Sequence, residues 1–464
     1  MALLDTLPAA PVLAIRRGIT IEATPAGLQV AGVGWGHPVA IADPDVRAAI
    51  LSLLDGPLPS AEIVHRAVSG SGQLSAAVGV QSALRRLQLM GAIDHVLYEP
   101  GNGAIARLTT KGAMPVLLTS LPADGLARAL SPLAVATAAD GVVSLESGAS
   151  PLVVALRPDL YATLAAGEGD SLPEPVRAML FSARLWVTEQ ERASREFRQW
   201  DASDLWFHRR VAESRGNDGY GGTYHLEGDF APLPYEKAAP GPVLDLPVPD
   251  LDRARREDPS LAEVMESRRT YRSFAAGATG IEALAALLYR SLRARQVHPD
   301  DHGLEVVDRP YPSGGSIHEI ETYVVVNDVT GIAPGVYRYA PTRHQLDDLG
   351  VDDRLRLRIG GDVQRTTNSE VPPPVILLFG ARFGRLMWKY EGMPYALLTK
   401  HVGVVYQTIY LNAAVLGLGV CGIGGCSAGL FAQATGTDPL DEGAVGMMAL
   451  GAPDLAEPDP WGRS

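Results

Sequence analysis

The feature that most restricts the fold of this chain is a proline-rich stretch at residues 231–250. It carries six prolines, each of which fixes its own backbone angle and lacks an amide donor. A helix is therefore excluded here, and extended chain is predicted. We predict that the stretch links an N-terminal half to a C-terminal domain at residues 251–464. The prolines are Pro232, Pro234, Pro240, Pro242, Pro247 and Pro249.

The N-terminal half has the pattern of a folded region of helices and strands. Hydrophobic residues make up 46% of the chain and charged residues 20%, which is typical of globular proteins. Asp43 is predicted to cap the first of three helices, and a strand follows the third. Short helices followed by a β return are typical of a winged helix, so we predict one such module at 1–100 and a second, with a connecting segment, at 101–230. The predicted elements are helices over 44–54, 61–68 and 76–90 and a strand over 91–97.

Composition limits the kinds of function that the chain can have. The net charge is −13 and the pI is near 5.3, which argues against nonspecific nucleic-acid binding. Two cysteines, Cys421 and Cys426, are too few for a disulfide scaffold or a four-ligand zinc site, so no metal is predicted. The longest apolar run, Val402–Leu416, is too short to cross a membrane, and no secretory signal is visible. We therefore predict a cytoplasmic protein.

The densest cluster of positive charge follows a short predicted helix near the middle of the chain. Arg268, Arg269 and Arg272 fall within five residues, next to the hydroxyl of Thr270. Guanidinium groups at this density suit a phosphate, which accepts paired hydrogen bonds and offsets their mutual repulsion. The alternative is a solvated charged turn, which is common for basic clusters. The cluster by itself leaves both interpretations open.

Two glycine-bearing segments follow, at residues 312–315 and 422–425. The first precedes an apolar strand, and the second follows a long apolar helix. Glycines let the main chain approach a ligand closely and adopt unusual backbone angles, although an ordinary turn is the alternative for the first segment. The second segment is not a phosphate-binding P-loop, because no Gly-Lys-Ser/Thr follows it. The residues are Pro312, Ser313, Gly314 and Gly315 in the first segment and Gly422, Ile423, Gly424 and Gly425 in the second.

In this order the segments resemble those of the flavin-dependent nitroreductase superfamily, over residues 255 to 455. Between the two glycine segments stands an adjacent pair, Lys389 and Tyr390, which ordinary nitroreductases lack. With this pair the chain looks like the azoline dehydrogenases, the SagB-type thiazole/oxazole peptide maturases. The resemblance implies an α+β protein, with a C-terminal nitroreductase-like FMN domain and an N-terminal winged-helix-like peptide-binding region.

The resemblance also assigns the two glycine segments and the arginine cluster to an FMN site. In the family, the residues that match Arg268, Arg269, Thr270 and Arg272 meet the phosphate, the ribityl chain and the ring edge. The segment that matches 312–315 lies against the flavin of the other subunit, and the one that matches 422–425 lies across the ring. Many nitroreductases complete the phosphate site with a late Lys or Arg. This chain has neither between Lys400 and Arg463, so the central cluster is expected to do most of that work.

Lys389 and Tyr390 are the predicted catalytic residues. Oxidation of an azoline to an azole removes a proton from the α carbon and a hydride from the β carbon, and a flavin can accept the hydride. A tyrosine, with a pKa of about 10, is a poor base at neutral pH unless a cation stabilises its phenolate. We predict Tyr390 as the base and Lys389 as the residue that modulates it, with an ordinary surface Lys-Tyr pair as the alternative.

For the whole protein, the resemblance implies a homodimer with active sites between its subunits. Its substrate would be a precursor peptide bearing azolines, and its partner the cyclodehydratase that makes those rings. Two other functions compete with this one. The first is an NAD(P)H-dependent nitro or quinone reductase, against which the N-terminal half and the Lys-Tyr pair argue. The second is a non-enzymatic peptide-binding scaffold, which would purify without a flavin.

Overall fold

A computed structural model describes residues 11–32, 35–99, 101, 103–212 and 220–456 of the chain. The chain divides into two compact units between Tyr220 and Gly221. Residues 213–219, in the predicted connecting segment, and the N-terminal residues that were searched for a secretory signal lie outside the described ranges. Within those ranges, no helix has both the length and the apolar character needed to cross a bilayer.

The first unit is built on a six-stranded antiparallel sheet in the order β1-β5-β6-β10-β9-β8, with two smaller sheets, β2-β3-β4 and β7-β11. Its strands are β1 (Val12–Ile15), β2 (Thr20–Thr24), β3 (Gly27–Gly32), β4 (Trp35–Ala40), β5 (Ile93–Glu99), β6 (Gly103–Thr110), β7 (Arg128–Leu130), β8 (Ala134–Ala139), β9 (Val142–Ser147), β10 (Leu152–Leu156) and β11 (Trp186–Thr188). Its helices are α1 (Pro44–Leu51), α2 (Ser60–Ser71), α3 (Ser75–Leu89), α4 (Pro158–Ala165), α5 (Glu174–Ser182), α6 (Glu189–Ala193), α7 (Arg195–Arg198) and α8 (Ala202–Ala212).

The three predicted helices and the strand after them are present as α1, α2, α3 and β5. The Asp43 carboxylate caps α1, accepting from the Asp45 and Val46 amides at 2.8 and 3.2 Å. One hydrophobic core lies among α1–α3 and β2–β4, and a second lies among β6, β9, β10 and α5. The six-stranded sheet contains strands from both predicted modules. The winged-helix interpretation and the module boundaries stay predictions.

The second unit is built on a seven-stranded antiparallel sheet in the order β13-β18-β17-β16-β19-β22-β21, with two short ribbons, β12-β20 and β14-β15. Its strands are β12 (Gly221–Gly222), β13 (Val243–Asp245), β14 (Gln296–Pro299), β15 (Glu305–Asp308), β16 (Ile320–Val326), β17 (Gly335–Ala340), β18 (Gln345–Asp348), β19 (Val375–Arg382), β20 (Tyr390–Glu391), β21 (Gly419–Ile423) and β22 (Glu442–Gly451). Its helices are α9 (Leu251–Glu257), α10 (Leu261–Ser267), α11 (Ile281–Leu292), α12 (Asp353–Thr367), α13 (Phe383–Lys389), α14 (Pro394–Val415) and α15 (Ala428–Thr435).

Both faces of the large sheet are covered by helices. Along β16, Val324 and Val326 enter a core with α11 and α14, while Tyr323 and Val325 enter a core with α12 and α15. All eight residues of β19 are buried, which explains why its sequence is apolar without alternation. The result is the mixed helix-and-sheet architecture that the sequence predicts for the C-terminal domain.

The proline-rich stretch at 231–250 packs onto the second unit. It is extended, as predicted, and β13 within it pairs with β18 at the edge of the sheet. The Tyr235 side chain is buried, and the guanidinium groups of Arg382 and Arg385 donate to the Tyr235 and Leu233 carbonyls at 2.8 and 2.7 Å. The division between the units therefore falls ahead of this stretch, which acts as a strap across the second unit.

Candidate active site

The arginine cluster lies beside the strand that leads into the second glycine segment. α10 begins with a capping box, in which Ser260 and Glu263 satisfy each other's backbone amides, and it ends where the cluster begins. The chain then runs extended, and the Tyr271 amide donates to the Val420 carbonyl in β21 at 3.1 Å. Because β21 continues into residues 422–425, the structure brings these two predicted segments together.

The Tyr410 hydroxyl, on α14, joins the arginine cluster to the glycine segment. The Gly422 amide donates to it at 2.7 Å, and Thr270 Oγ1 lies 3.3 Å from the same oxygen. The Arg268 guanidinium lies over the Tyr410 ring, 5.3 Å from its centroid, and among the described residues it pairs with no carboxylate. A cation held this way keeps its hydrogen-bond donors for an anion. Sequence reasoning missed Tyr410, because a tyrosine within an apolar helix has no local pattern that marks it.

The other members of the cluster are also accessible. Arg269 is half-buried, and its guanidinium lies 4.3 Å from the centroid of the Tyr271 ring. Arg272 is exposed. An anion can therefore approach the cluster from solvent, which agrees with its predicted role and equally with the alternative of a solvated charged turn.

The second glycine segment presents open main chain. Gly424 and Gly425 are exposed, and a Cβ added at either would meet nothing within 4 Å. The Ile423 side chain is buried in the core, so only its backbone is available to a ligand. Burial raises the pKa of the Cys426 thiol to about 11, which keeps it protonated and unreactive at neutral pH. The segment can receive a flat ring, and its neighbouring thiol is in the protonated form.

A buried histidine–carboxylate pair holds the first glycine segment in place through a hydrogen bond to its main chain. Pro312 is exposed, whereas the Gly314 amide donates to His401 Nε2 at 2.7 Å. His401 Nδ1 lies 2.7 Å from Glu319 Oε1, and the two side chains are 6% and 1% exposed. Accepting at Nε2 places the imidazole proton on Nδ1, where it donates to the carboxylate. The Ser313 hydroxyl adds to the network, 3.5 Å from Glu319 Oε2.

The predicted catalytic residues, Lys389 and Tyr390, lie next to Gly315 in the 312–315 loop. Its φ of +62° is left-handed, and a Cβ at that position would stand 2.8 Å from the Tyr390 hydroxyl and 3.3 Å from Lys389 Nζ. Only glycine can occupy the site without displacing these two groups. The structure therefore brings Lys389 Nζ and the Tyr390 hydroxyl close to the same glycine, which is distant from both residues in sequence.

Lys389 keeps its charge in this position. Burial works to lower the pKa of its ammonium group, but hydrogen bonding to Tyr224 and the nearby Tyr390 and Asp300 outweigh burial, so that the pKa is raised. Lys389 Nζ lies 3.8 Å from Asp300 Oδ2. A cation therefore stands beside the Tyr390 hydroxyl at neutral pH, as the predicted chemistry requires.

α14 carries the contacts of both predicted parts of the site, but at different positions along its length. His401 contacts the 312–315 loop, and Tyr410 contacts the arginine cluster and the 422–425 segment. Nine residues of helix separate them by about 14 Å. Within one chain, the predicted site residues therefore form two separate groups: the arginine cluster with residues 422–425, and the 312–315 loop with Lys389 and Tyr390.

The residues present fit a flavin mononucleotide. Its phosphate requires cations, which the arginine cluster supplies, and Arg268 has no competing carboxylate among the described residues. Its ring system requires a flat surface without side chains, which Gly424 and Gly425 supply. The Thr270 and Tyr410 hydroxyls lie between these two features and can bond to polar atoms of the ribityl chain.

The second unit contains a nitroreductase-family domain: residues 265–452 match the sequence model of the nitroreductase family. Members of this family are oxidoreductases and typically bind a flavin. The match includes all of the predicted site residues. The match assigns this part of the second unit to a family and leaves the first unit without an assignment.

Three individual proteins are similar to parts of the chain. The candidate nitroreductase MJ1384 of Methanocaldococcus jannaschii is 27% identical over 187 residues, which are 40% of this chain and 85% of that protein. The trifolitoxin-processing protein TfxB of Rhizobium leguminosarum bv. trifolii is 33% identical over 118 residues, 25% of this chain, and the match spans only 31% of its length. A crystal structure of a candidate nitroreductase from Anabaena variabilis has a TM-score of 0.39 and 22% identity, over 53% of this chain and 45% of that one.

Proposed function

We propose that this protein is an FMN-dependent dehydrogenase that oxidises thiazoline or oxazoline rings in a ribosomally made precursor peptide. The observation that carries the proposal is the convergence of Lys389 Nζ and the Tyr390 hydroxyl at Gly315. A reductase that receives electrons from a nicotinamide needs no such pair. A dehydrogenase that must remove a carbon-bound proton does need a base.

Tyr390 and Lys389 divide the proton chemistry between them. The Tyr390 oxygen accepts the α proton of the ring, and the Lys389 ammonium stabilises the phenolate that this requires. The electron pair of the broken C–H bond forms the new ring double bond as a hydride leaves the β carbon. FMN, when bound, supplies the acceptor for that hydride, and oxygen takes the electrons afterwards to give peroxide. The ring becomes aromatic by losing two hydrogen atoms.

The separation of the two groups along α14 supports a homodimer. Arg268, Arg269, Thr270 and Arg272 would hold the FMN of one subunit, with 422–425 against its ring. The 312–315 loop and the Lys-Tyr pair would come from the second subunit. α14 presents half-buried apolar residues along its length, such as Val402 and Val404, which would be covered by that subunit.

The match to the trifolitoxin-processing protein supports a peptide as the substrate. We propose that the first unit, as a winged-helix-like region, holds the precursor peptide, and that a cyclodehydratase of the same pathway supplies the azoline rings. Such a peptide would be modified in the cytoplasm, where it is made.

Reconstitution tests the proposal. The purified protein is incubated with FMN and a thiazoline-bearing peptide, and the peptide is examined by mass spectrometry. We expect the mass of two hydrogen atoms to be lost per ring, with one equivalent of peroxide, and no loss with Lys389→Ala. Bound FMN with no change in either thiazoline or oxazoline peptides would refute the activity.

A nitro or quinone reductase is the second candidate, because the match to MJ1384 covers most of that protein. Stopped-flow absorbance separates the two functions. Rapid bleaching of the flavin by NADPH, with none by the azoline peptide, would establish the reductase. Bleaching by the peptide alone would establish the dehydrogenase.

A further inference from the structure

A short segment that the proposed chemistry does not use lies directly against Lys389. Gly221 and Gly222 form β12, which pairs with Tyr390 and Glu391 of β20. The Tyr224 amide then donates to the Lys389 carbonyl at 3.0 Å. These backbone contacts fix where the Tyr224 side chain stands relative to the lysine.

The Lys389 ammonium lies in a cradle formed by Tyr224 and Asp300. Its Nζ is 5.0 Å from the centroid of the Tyr224 ring and 3.8 Å from Asp300 Oδ2. The Tyr224 hydroxyl in turn lies 3.4 Å from Asp300 Oδ2. The cradle therefore combines a cation–π contact with an ion pair, and its own two members are linked.

The cradle is itself held in place by several contacts. Asp300 Oδ1 accepts from the His302 and Leu304 amides at 2.9 and 3.0 Å, which fixes the carboxylate. The Tyr224 ring stacks on His302 at 3.7 Å and meets the edge of Trp388 at 5.8 Å. A loose surface lysine would require none of this support. The arrangement is that of a preorganised charge.

We propose that Tyr224 and Asp300 are positioning residues that hold the Lys389 ammonium charged and aimed at the Tyr390 hydroxyl. The inference rests on the proposed function, because it gives Lys389 its role beside a base. The Lys389 side chain is only 16% exposed. Without the cradle, its ammonium group would be buried with only Tyr390 beside it to offset the loss of water. It would then lose its proton more easily and adopt more than one rotamer.

Few charged or titratable groups surround Lys389 within the ranges that the structure describes. Asp300, Tyr224 and Tyr390 face it directly. Glu391 is held by the Thr223 hydroxyl at 3.1 Å. Behind Tyr224, His302 pairs with Glu227 at 3.0 Å, and in the described part of the chain neither of these two side chains forms an ion pair or hydrogen bond with the ammonium. Asp300 is therefore the carboxylate whose removal should change the titration of Lys389.

Competitive amine acylation measures that titration directly. The whole protein is labelled across a range of pH, and the peptide that contains Lys389 is quantified by mass spectrometry. We expect Asp300→Asn to increase the labelling rate below the pKa by about fivefold, since an opposite charge at this distance favours the ammonium form. Tyr224→Phe should give a smaller increase in the same direction. Asp301→Asn is the matched control, because Asp301 is the adjacent exposed carboxylate, and it should leave the rate unchanged.

Turnover supplies the second readout. Asp300→Asn should lower kcat, leave KM nearly unchanged, and move the limbs of the pH–rate profile, whereas Asp300→Glu should recover part of the rate. A purely structural defect would lower the rate without moving the profile. Unchanged Lys389 labelling in Asp300→Asn, or an equal change in Asp301→Asn, would overturn the inference. Labelling needs neither flavin nor substrate, so failure of the proposed activity would be seen separately, as absent azoline oxidation in the wild-type protein.

Discussion

The two groups of site residues along α14 differ in how their charges are satisfied. In the group around His401 and Gly315, two basic side chains have a close carboxylate partner: Glu319 holds His401, and Asp300 holds Lys389. Around Tyr410, Arg268 lies against an aromatic ring, and the nearby glycines present bare main chain. The first group therefore has basic side chains paired with carboxylates, whereas the second has a guanidinium on an aromatic ring and open space at Gly424 and Gly425. In the function that we propose, the first group acts on a substrate and the second receives most of the cofactor.

The largest effect should follow from removing the proposed base. Tyr390→Phe keeps the ring and deletes the hydroxyl, so FMN should bind normally while turnover falls by about a hundredfold to a thousandfold. Flavin absorbance and peptide mass spectrometry measure the two properties separately. Wild-type turnover in this variant would show that Tyr390 is not the base. The proposed division of roles between the two groups of site residues would then also be wrong.

Removing the Arg268 guanidinium should weaken FMN binding, the property that Tyr390→Phe leaves unchanged. Arg268→Ala should weaken FMN binding by about tenfold to a hundredfold, because a charged hydrogen bond contributes about 1.5–3 kcal/mol. Fluorescence titration with FMN gives the Kd. Arg255→Ala is the control, since Arg255 is exposed and paired with Asp252. Equal affinities in the two variants would show that the cluster is a solvated charged turn.

Two alanine substitutions test the glycines of the two groups. Gly315→Ala should destabilise the protein by about 1–3 kcal/mol even without FMN, because the left-handed backbone and the Tyr390 hydroxyl both oppose a Cβ. Gly424→Ala should leave the flavin-free protein as stable as the wild type and weaken FMN binding. Urea denaturation and FMN titration are the measurements. A destabilised Gly424→Ala protein would mean that the second segment is not open.

The smallest effect concerns acid stability near the 312–315 loop. Burial, then the charge of Arg309, lower the pKa of His318 to about 2. Because the pKa of His318 is lower in the folded than in the unfolded protein, the unfolded state takes up a proton first as the pH falls. The protein is therefore stable above the unfolded-state pKa and loses stability below it. From pH 7 to pH 5 the free energy of unfolding of the wild type should therefore fall by about 2 kcal/mol more than that of His318→Asn, because the variant has no group that titrates at this position. Asparagine is chosen because it tolerates the left-handed φ of 49°. Urea denaturation at both pH values checks this, and equal losses would contradict it.

Much of the candidate site could be predicted from local sequence. Clustered arginines, repeated glycines and an adjacent Lys-Tyr pair are all visible within a few residues, and the structure brings Thr270 close to Gly422 and Gly315 close to Tyr390. The residues that join them were not predictable. Tyr410, His401 and Asp300 come from an apolar helix and a surface turn, and their partners are far away in sequence.

The sequence by itself determined the extended proline segment, the apolar strands and helices, and the chemical types available for a site, because these depend on backbone restriction and on short-range periodicity. Only the tertiary structure decided that the proline segment packs on the second unit and that Glu319 supports a loop through His401. It also decided that Asp300 and Tyr224 hold Lys389. Hydrogen bonds and ion pairs between distant residues depend on how the sheet and helices bring them together, and no spacing along the chain records that.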